Sequence, residues 1–311
     1  MGLDFTVAIP TFNGANRVPL VLEKLRSQVT PPDRSWEILV VDNNSSDRTA
    51  EVIREIQQTW DGVPLRYTFE ARQGQAYARQ RAIDESESEF VGFLDDDNLP
   101  VENWVASAYA FGIAHPRAGA YGSQIKADFQ CEPPPNISQV KNLLVIRNYS
   151  DTPKQYQPET LRLPAGAGLV IRRQAWLESV PRQFVRTGQS GEDYEISLHL
   201  HQDHWEIWHN PEMQLYHRIP PHRLERDYLL PLAHLYGLTT CELRMILTSP
   251  LQRPFMLCKH FLGSLRRFIY HWIIYRGQFH DNLGAACELE FLRGQLMSPL
   301  VYLKHQISLL K

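Results

Sequence analysis

The stretch Phe90–Pro100 reads F-V-G-F-L-D-D-D-N-L-P, and it decides the fold prediction. Its first five residues are apolar or glycine, which predicts a short strand buried on both faces of a parallel sheet. Three carboxylates follow that strand: Asp95, Asp96 and Asp97. Such a cluster repels itself unless a cation lies among its members, and α/β sheets bind ligands at this end of their strands. We therefore predict a divalent metal beside a phosphate-bearing ligand; an acidic surface loop is the alternative.

Three further strand patterns precede this one, and a helical pattern follows each of them. The strands are predicted over residues 5–10, 36–41 and 65–69, and the first helix pattern extends as far as Val29. This alternation predicts right-handed βαβ units and a parallel sheet with helices on both faces. All four strands end in polar or glycine-bearing loops on one edge of the sheet. That edge is the predicted site.

Two of these loops carry side chains suited to a nucleotide. Asp42 follows the second strand, where its carboxylate can accept hydrogen bonds from a base or ribose; an Asx turn or helix cap is the alternative. Arg72 and Arg79 flank Gly74 and can contact a diphosphate or the carboxylate cluster. The alternative for Arg79 is a solvated surface arginine.

The second half of the chain adds a glycine-bearing loop before a strand and a helix that begins with acidic residues. Gly166 and Gly168 precede a predicted strand and permit close backbone approach. Glu192 and Asp193 open an amphipathic helix, where carboxylates are favoured by the helix dipole, so capping is an alternative to a catalytic role. Two late strands are predicted over 205–208 and 213–216, and His217 follows the second.

Composition restricts the class of protein. The 311 residues contain 43% hydrophobic and 22% charged residues, which is ordinary for a globular chain. The net charge of −3 carries no argument about nucleic acid, and we expect none as a partner. Four separated cysteines and the absence of a signal-peptide pattern indicate a cytoplasmic protein.

From Arg223 onward the pattern predicts long helices. Residues 251–279 mix aromatic side chains with Lys259, Arg266, Arg267 and Arg276. A basic, aromatic, amphipathic segment can lie in a membrane interface, so we expect a peripheral contact at the inner face of the plasma membrane. The alternative, which is the default for such a segment, is that its apolar face packs on the preceding domain.

Three segments in order resemble family 2 glycosyltransferases of the GT-A fold: T-V-A-I-P-T-F-N at 6–13, V-V-D-N-N-S-S-D at 40–47 and F-L-D-D-D-N at 93–98. The resemblance covers about residues 4–220 and implies a mostly parallel sheet flanked by helices. Together with the helical pattern after Arg223, it predicts a transferase domain over residues 1–222 and a helical extension over 223–311. It also implies a D-x-D element that holds Mn²⁺ or Mg²⁺ against the diphosphate of a nucleotide sugar.

The resemblance also implies roles for individual residues. Asp42 would contact the uracil or ribose, Asp95 the ribose and Asp97 the metal. Asp193, or its neighbour Glu192, would be the general base. His217 would be a further metal ligand or a diphosphate contact, with a backbone-bonded histidine as the alternative. The other implied donor-binding residues are Pro10, Thr11, Asn13, Asn44, Arg72, Gly74, Arg79, Asp96, Gly166 and Gly168.

These implications predict an inverting enzyme that moves a sugar from a UDP-sugar to a hydroxyl of a saccharide or lipid-linked acceptor. A narrower resemblance to the hormogonium polysaccharide glycosyltransferases of cyanobacteria implies exopolysaccharide assembly. Two alternatives remain open: a nucleotidyltransferase, which should carry a basic, glycine-rich loop after its first strand, and a non-catalytic nucleotide-sugar-binding module on the same fold. A dinucleotide dehydrogenase is disfavoured because no G-x-G-x-x-G follows the first strand.

Overall fold

A computed structural model describes residues 3–31, 33–182 and 191–309. The chain forms two compact units, each assembled from two segments. The first contains Met1–Asp128 and Arg147–Arg218, and the second contains Phe129–Ile146 and Ile219–Lys311.

The amino-terminal half of the first unit is a parallel sheet with strand order β3-β2-β1-β4. Strands β1, β2 and β4 are nearly continuous apolar runs, as burial on both faces requires, whereas β3 at the edge is only partly buried. In register, Thr11 of β1 lies opposite Asp42 of β2, which lies opposite Phe69 of β3, so the loops that follow begin at one level. The elements are β1 Phe5–Thr11, α1 Val18–Arg26, β2 Trp36–Asp42, α2 Thr49–Gln58, β3 Leu65–Phe69, α3 Gln75–Glu85 and β4 Phe90–Phe93.

The other half of the sheet is antiparallel, so the complete sheet is mixed. Strand β8 pairs antiparallel with β4, and the order continues β8-β6-β9-β5, with β7 also pairing with β9. The elements are β5 Asn98–Pro100, α4 Trp104–Ala114, β6 Ala118–Phe129, β7 Lys154–Gln155, a 3-10 turn at Pro158–Thr160, β8 Leu169–Arg172, α5 Arg173–Ser179, α6 Glu192–Gln202 and β9 Glu206–Ile219.

Some sequence predictions about the elements are wrong. The two late strands are one strand, β9, which runs through Pro211. Along one of its edges, β9 pairs first with β7, opposite His209, and then with β5, opposite Leu215. Pro211 has no N–H to donate and lies between these two pairings. The first helix ends at Arg26, and Val29 lies beyond it with 65% of its surface exposed.

The second unit is helical, as predicted. It contains α7 Arg226–Ile246, α8 Arg253–Tyr275 and α9 Leu283–Leu309, with 3-10 turns at Ile137–Val140 and Pro221–Leu224. Helices α7 and α9 cross closely at Gly237 and Gly294, where an added Cβ would meet the backbone of the other helix within 2.2 Å. None of the helices in the described ranges is both long enough and apolar enough to cross a bilayer.

Candidate active site

The loops after β1 and β2 are joined by Asn13. Its backbone takes a positive φ of 51°, and its side-chain oxygen accepts a hydrogen bond from the Ser46 backbone N–H at 2.8 Å. Its own N–H donates to the Ser45 hydroxyl at 2.9 Å. Asn13 therefore holds the two loops in register, and its predicted contact with a donor stays a prediction.

Asp42 is buried at the end of β2 and has a partner on each carboxylate oxygen. Oδ1 accepts the Ser45 N–H at 3.0 Å, which is the Asx turn considered above, and Oδ2 accepts the Tyr67 hydroxyl at 2.9 Å. Burial, together with this hydrogen bond, raises the pKa of Tyr67 to about 12. Tyr67 therefore keeps its proton and orients the carboxylate.

The loop after β3 is held by Asn43, a residue for which the sequence predicts no role. Its side-chain oxygen accepts the Gly74 N–H at 2.8 Å, and its amide donates to the Arg72 carbonyl at 2.6 Å. Gly74 has a φ of 139° at the start of α3, a conformation that suits glycine. The Arg72 side chain is 60% exposed and lies against Glu70, with Nε 2.9 Å from Oε1. Asn44, with a φ of 61°, is exposed.

Asp96 lies within a network of hydrogen bonds inside the protein. Arg17 donates to both of its oxygens, at 2.8 and 2.9 Å, and the Thr11 hydroxyl donates at 2.6 Å. Pro10, which precedes Thr11, is buried within β1. Arg17 could not be predicted as a partner of Asp96, because nothing in the spacing of residues 17 and 96 signals a pair. The predicted donor contact of Asp96 stays a prediction, with both of its oxygens already engaged.

Asp97 and His217 lie together, as a shared metal site would require. His217 Nε2 is 3.4 Å from Asp97 Oδ2, although 120 residues separate the two in the chain. The pairing follows from strand register, because β5 places Asn98 opposite His217 of β9. The Asn98 amide donates to Asp97 Oδ1 at 3.0 Å and orients the carboxylate.

These two side chains suit a hard divalent cation that completes its coordination elsewhere. A carboxylate oxygen with an imidazole nitrogen is a donor set that Mn²⁺ accepts. Across the described ranges, no three His, Cys, Asp or Glu side chains converge closely enough to hold a metal by themselves. Phosphate-associated Mg²⁺ and Mn²⁺ sites commonly take only one or two protein ligands, and the remainder come from phosphate oxygens and water.

Arg79 is buried between two carboxylates, so it is not a solvated surface arginine. It is 1% exposed, and its NH2 lies 3.6 Å from Asp95 Oδ1 while its NH1 lies 3.5 Å from Glu192 Oε1. Within the described residues, its Nε and NH1 make no hydrogen bond. A Cβ on Gly166 would lie 2.1 Å from Arg79 NH2, so the glycine leaves the space that the guanidinium occupies.

Both carboxylates beside Arg79 titrate above their ordinary ranges. Although 31% of the Asp95 side chain is exposed, desolvation by the surrounding protein raises its pKa to about 6, against the lowering effect of Arg79. Burial also raises the pKa of Glu192, which Arg79 again opposes and Asp193 reinforces. Gln75 donates to Asp95 Oδ1 at 2.8 Å.

Asp193 is half-buried at the start of α6 and contacts the glycine loop. Its Oδ2 accepts the Gly166 N–H at 2.7 Å, and its Oδ1 accepts the Tyr194 N–H at 2.9 Å. The cap position of α6 is Gly191, and no side chain makes a capping hydrogen bond there, so Asp193 does not cap its helix. Its carboxylate instead joins the first turn of α6 to the loop that accommodates Arg79.

Gly168 is tightly packed within the sheet. Its φ is +69°, and an added Cβ would lie 2.4 Å from the Ser123 hydroxyl oxygen and 2.4 Å from Leu215 Cδ2. Its carbonyl accepts a hydrogen bond from that hydroxyl at 2.7 Å. The structure gives Gly168 a packing role, and its predicted donor contact is untested.

The structure thus gathers most of the predicted residues at the carboxyl edge of one sheet. The paired Asp97 and His217 can hold a cation, Arg79 supplies a buried positive charge, and Asp193 supplies a partly accessible carboxylate. A mixed α/β sheet flanked by helices, with carboxylates at this edge, agrees with the predicted GT-A fold, the fold of nucleotide-diphospho-sugar transferases, although the sheet is mixed where a mostly parallel one was predicted.

The chain belongs to glycosyl transferase family 2, whose pattern matches residues 6–177, more than half of the sequence. It is similar to glycosyltransferase AglE of Haloferax volcanii, with 35% identity over 32% of this chain and 32% of that protein. A dolichyl N-acetyl-alpha-D-glucosaminyl phosphate 3-beta-D-2,3-diacetamido-2,3-dideoxy-beta-D-glucuronosyltransferase of Methanococcus voltae is 34% identical over 67% of this chain and 64% of its own.

The matched segments therefore span about a third of the first relative and just under two thirds of the second. Among solved structures, the mannosyltransferase PcManGT of Pyrobaculum calidifontis, in complex with GDP-Man and Mn²⁺, superposes with a TM-score of 0.62. That superposition covers 96% of this chain and 88% of PcManGT at 18% identity, so it shows a shared fold.

Proposed function

We propose that this chain is a metal-dependent, inverting glycosyltransferase. Its donor would be a nucleoside-diphosphate sugar, with UDP-sugars expected first, and its acceptor a hydroxyl of a saccharide or lipid-linked saccharide. The observation that carries the proposal is the juxtaposition of Asp97 with His217, whose side chains lie 3.4 Å apart beside Asp95 at the ligand-binding edge.

Mn²⁺ or Mg²⁺ would be held by Asp97 and His217. When bound, the cation would neutralise charge on the leaving diphosphate. Asn98 and the β5–β9 pairing keep the two ligands in place before the donor arrives. The presence of Mn²⁺ in PcManGT supports this assignment by likeness of fold.

Asp193 would be the general base that accepts the proton of the acceptor hydroxyl. Backbone N–H groups of Gly166 and Tyr194 donate to its carboxylate and fix its position. Direct attack of the activated hydroxyl on the anomeric carbon displaces the nucleoside diphosphate and inverts the configuration, as in single-displacement sugar chemistry. Glu192 lies beside Arg79 inside the protein, which favours Asp193 over Glu192 as the base.

The remaining finer assignments are also proposals. We place the transferase domain at 1–222 and a helical extension at 223–311, and we expect a cytoplasmic enzyme at the inner face of the plasma membrane. The lipid-phosphate name of the Methanococcus voltae relative supports a lipid-linked acceptor. Exopolysaccharide assembly, including the hormogonium polysaccharides of cyanobacteria, is the pathway class that we propose.

Donor binding by titration calorimetry tests the metal assignment. The wild-type chain should bind one UDP- or GDP-sugar with Mn²⁺ and bind it at least tenfold more weakly after chelation. Asp97→Asn should remove this metal dependence, because the amide carries no charge for the cation. Asp128→Asn, which changes a half-exposed carboxylate elsewhere in the same unit, is the matched control. Unchanged Mn²⁺ dependence in Asp97→Asn would exclude Asp97 as a ligand.

A further inference from the structure

Helix α8 has its polar and apolar sides reversed relative to a helix of a water-soluble domain. Its inner side, which contacts α7 and α9, is polar over most of its length, although Met256 and Leu257 near its start pack against an apolar cluster. His260 Nε2 lies 3.0 Å from the Ser298 hydroxyl, Arg267 donates to Gln295 at 2.7 Å, and His271 Nε2 lies 2.8 Å from the Ala285 carbonyl. Only His260 and Ser264 are fully buried among the residues of this helix.

The outer side of α8 is apolar and exposed. We call the outer stripe the set Phe255, Leu262, Ile269, Trp272 and Ile273, which are 71%, 62%, 47%, 47% and 57% exposed. These residues recur at helical spacing, so they lie along one side of the helix. Apolar packing within this unit therefore covers Met256 and Leu257 of this helix but not the outer stripe. Exposed apolar patches of this kind mark interaction surfaces.

Charge identifies the partner of the outer stripe. No Asp or Glu occurs between Leu251 and His280, whereas Arg253, Lys259, Arg266, Arg267 and Arg276 do. Lys259 and Arg266 are exposed, and helical spacing places them along one edge of the stripe. A second copy of α8 would bring cations against cations, which opposes helix pairing. An anionic lipid surface offers both the opposite charge and an apolar layer.

We propose that α8 lies in the plane of an anionic bilayer interface and buries its outer stripe among the lipid chains. Lys259 and Arg266 would then meet lipid phosphates, and Trp272 would lie where the headgroups meet the acyl chains, a position that favours its amphipathic ring. The helix would lie along the surface without crossing it. The inference is independent of the transferase activity, because membrane binding requires neither donor nor acceptor.

Flotation of the full chain with vesicles tests the proposal. At about 0.05 M salt the protein should float with phosphatidylcholine vesicles containing about 30% phosphatidylglycerol, and about 0.5 M salt should weaken that binding. Lys259→Gln/Arg266→Gln should bind about 25-fold more weakly, since each basic residue near an anionic surface contributes about fivefold. Failure of the wild type to float at low salt would overturn the proposal.

The apolar contribution is tested separately. Leu262→Glu/Ile269→Glu should abolish flotation. The matched control is Ile113→Glu/Leu177→Glu, which changes apolar positions of the other unit that are 51% and 47% exposed. This control should bind vesicles normally. Equal loss in both pairs would contradict a specific role for the stripe. The protein could instead fail to float and dimerise as its concentration rises, with only Leu262→Glu/Ile269→Glu abolishing the dimer. That result would assign the outer stripe to a second copy of the chain and overturn the proposal.

A second measurement covers the case in which a glutamate variant fails to fold. Brominated lipids quench tryptophans that reach the acyl boundary. The wild-type chain should be quenched on vesicle binding, and Trp272→Phe should lose most of that quenching, because Trp272 lies within the stripe. Undiminished quenching in Trp272→Phe would contradict insertion of this side of α8.

Discussion

At the scale of single residues, the candidate site depends on Arg79, whose buried guanidinium has little room to move. Arg79 is 1% exposed, and its charge is balanced by Asp95 and Glu192 at 3.6 and 3.5 Å. A buried charge is tolerated only while its partners stay in place, so the two carboxylates and Arg79 hold one another. Gly166 is part of the same arrangement, because it leaves space for Arg79 and donates its N–H to Asp193.

Gly166→Ala should therefore disturb both Arg79 and Asp193. The new Cβ would lie 2.1 Å from Arg79 NH2, and overpacking of this kind costs about 1–3 kcal/mol in free energy of unfolding. Transfer should fall at least tenfold because the loop that holds the base shifts. Gly263→Ala, where an added Cβ meets nothing within 4 Å, is the control. Wild-type stability and transfer in Gly166→Ala would show that the loop accommodates the methyl group.

Asp193→Asn tests the base. Removing the ionisable group should lower transfer by about 10²–10⁴, the usual contribution of general-base catalysis, at saturating donor. Donor and metal affinity should change little, since those contacts are assigned to Asp42, Asp95 and Asp97. Glu192→Gln is the comparison, and a collapse of transfer confined to that variant would move the base by one residue.

At the scale of elements, strand pairing and helix packing join groups that are distant in the chain. Pairing of β5 with β9 joins Asp97 to His217, and α8 joins the helical unit through polar contacts. The central contact is His260, whose Nε2 lies 3.0 Å from Ser298 of α9 and 3.4 Å from Thr240 of α7. Burial, assisted by Arg244 and Arg267, lowers the pKa of His260 to about 4.

The depressed pKa of His260 makes the stability of the helical unit depend on pH. The pKa of His260 is 6.5 in the unfolded chain and about 4 in the folded one. At a pH between these two values, the unfolded chain binds a proton that the folded chain does not, so acid favours unfolding. The free energy of unfolding should fall by about 2 kcal/mol from pH ~7.5 to ~5.0 through this residue. Urea unfolding of wild type, His260→Gln and the exposed-site control His280→Gln would measure it. An identical pH dependence in His260→Gln and wild type would refute the assignment.

At the scale of the whole molecule, each compact unit is made from two separated segments. The helical unit contains Phe129–Ile146 as well as the carboxyl-terminal part of the chain. Within it, the 3-10 turn Ile137–Val140 packs on α9. At Gly284 of α9, an added Cβ would lie 2.0 Å from Gln139 Oε1 and 2.7 Å from its Cβ. The segment 129–146 therefore depends on helices that follow it by more than a hundred residues.

Gly284→Leu should loosen that segment. The leucine side chain cannot share the space of Gln139, so the turn must move, and limited proteolysis should cleave faster within 129–146. Gly263→Leu, in open space on α8, should be cleaved as slowly as wild type. Equal resistance of Gly284→Leu and wild type would show that Gln139 moves aside without loosening the turn.

Local sequence determined the strands and the loops that follow them. Apolar runs such as Phe90–Phe93 fold as buried strands because their neighbours are turn residues, and these are short-range properties. The order of the carboxylates, the acidic start of α6 and the long helices after Arg223 were predictable for the same reason. The family could also be identified from these segments, and residues 6–177 confirm it.

Only the tertiary structure decided which side chains meet. Arg17 with Asp96, Asp97 with His217 and the burial of Arg79 depend on strand register and helix placement, and a one-residue slip of register would separate each strand-borne pair. The reversed sides of α8 show the same limit. Periodicity in the sequence reveals that a helix has two unlike sides, but which side is covered depends on the shape and polarity of the elements packed against it.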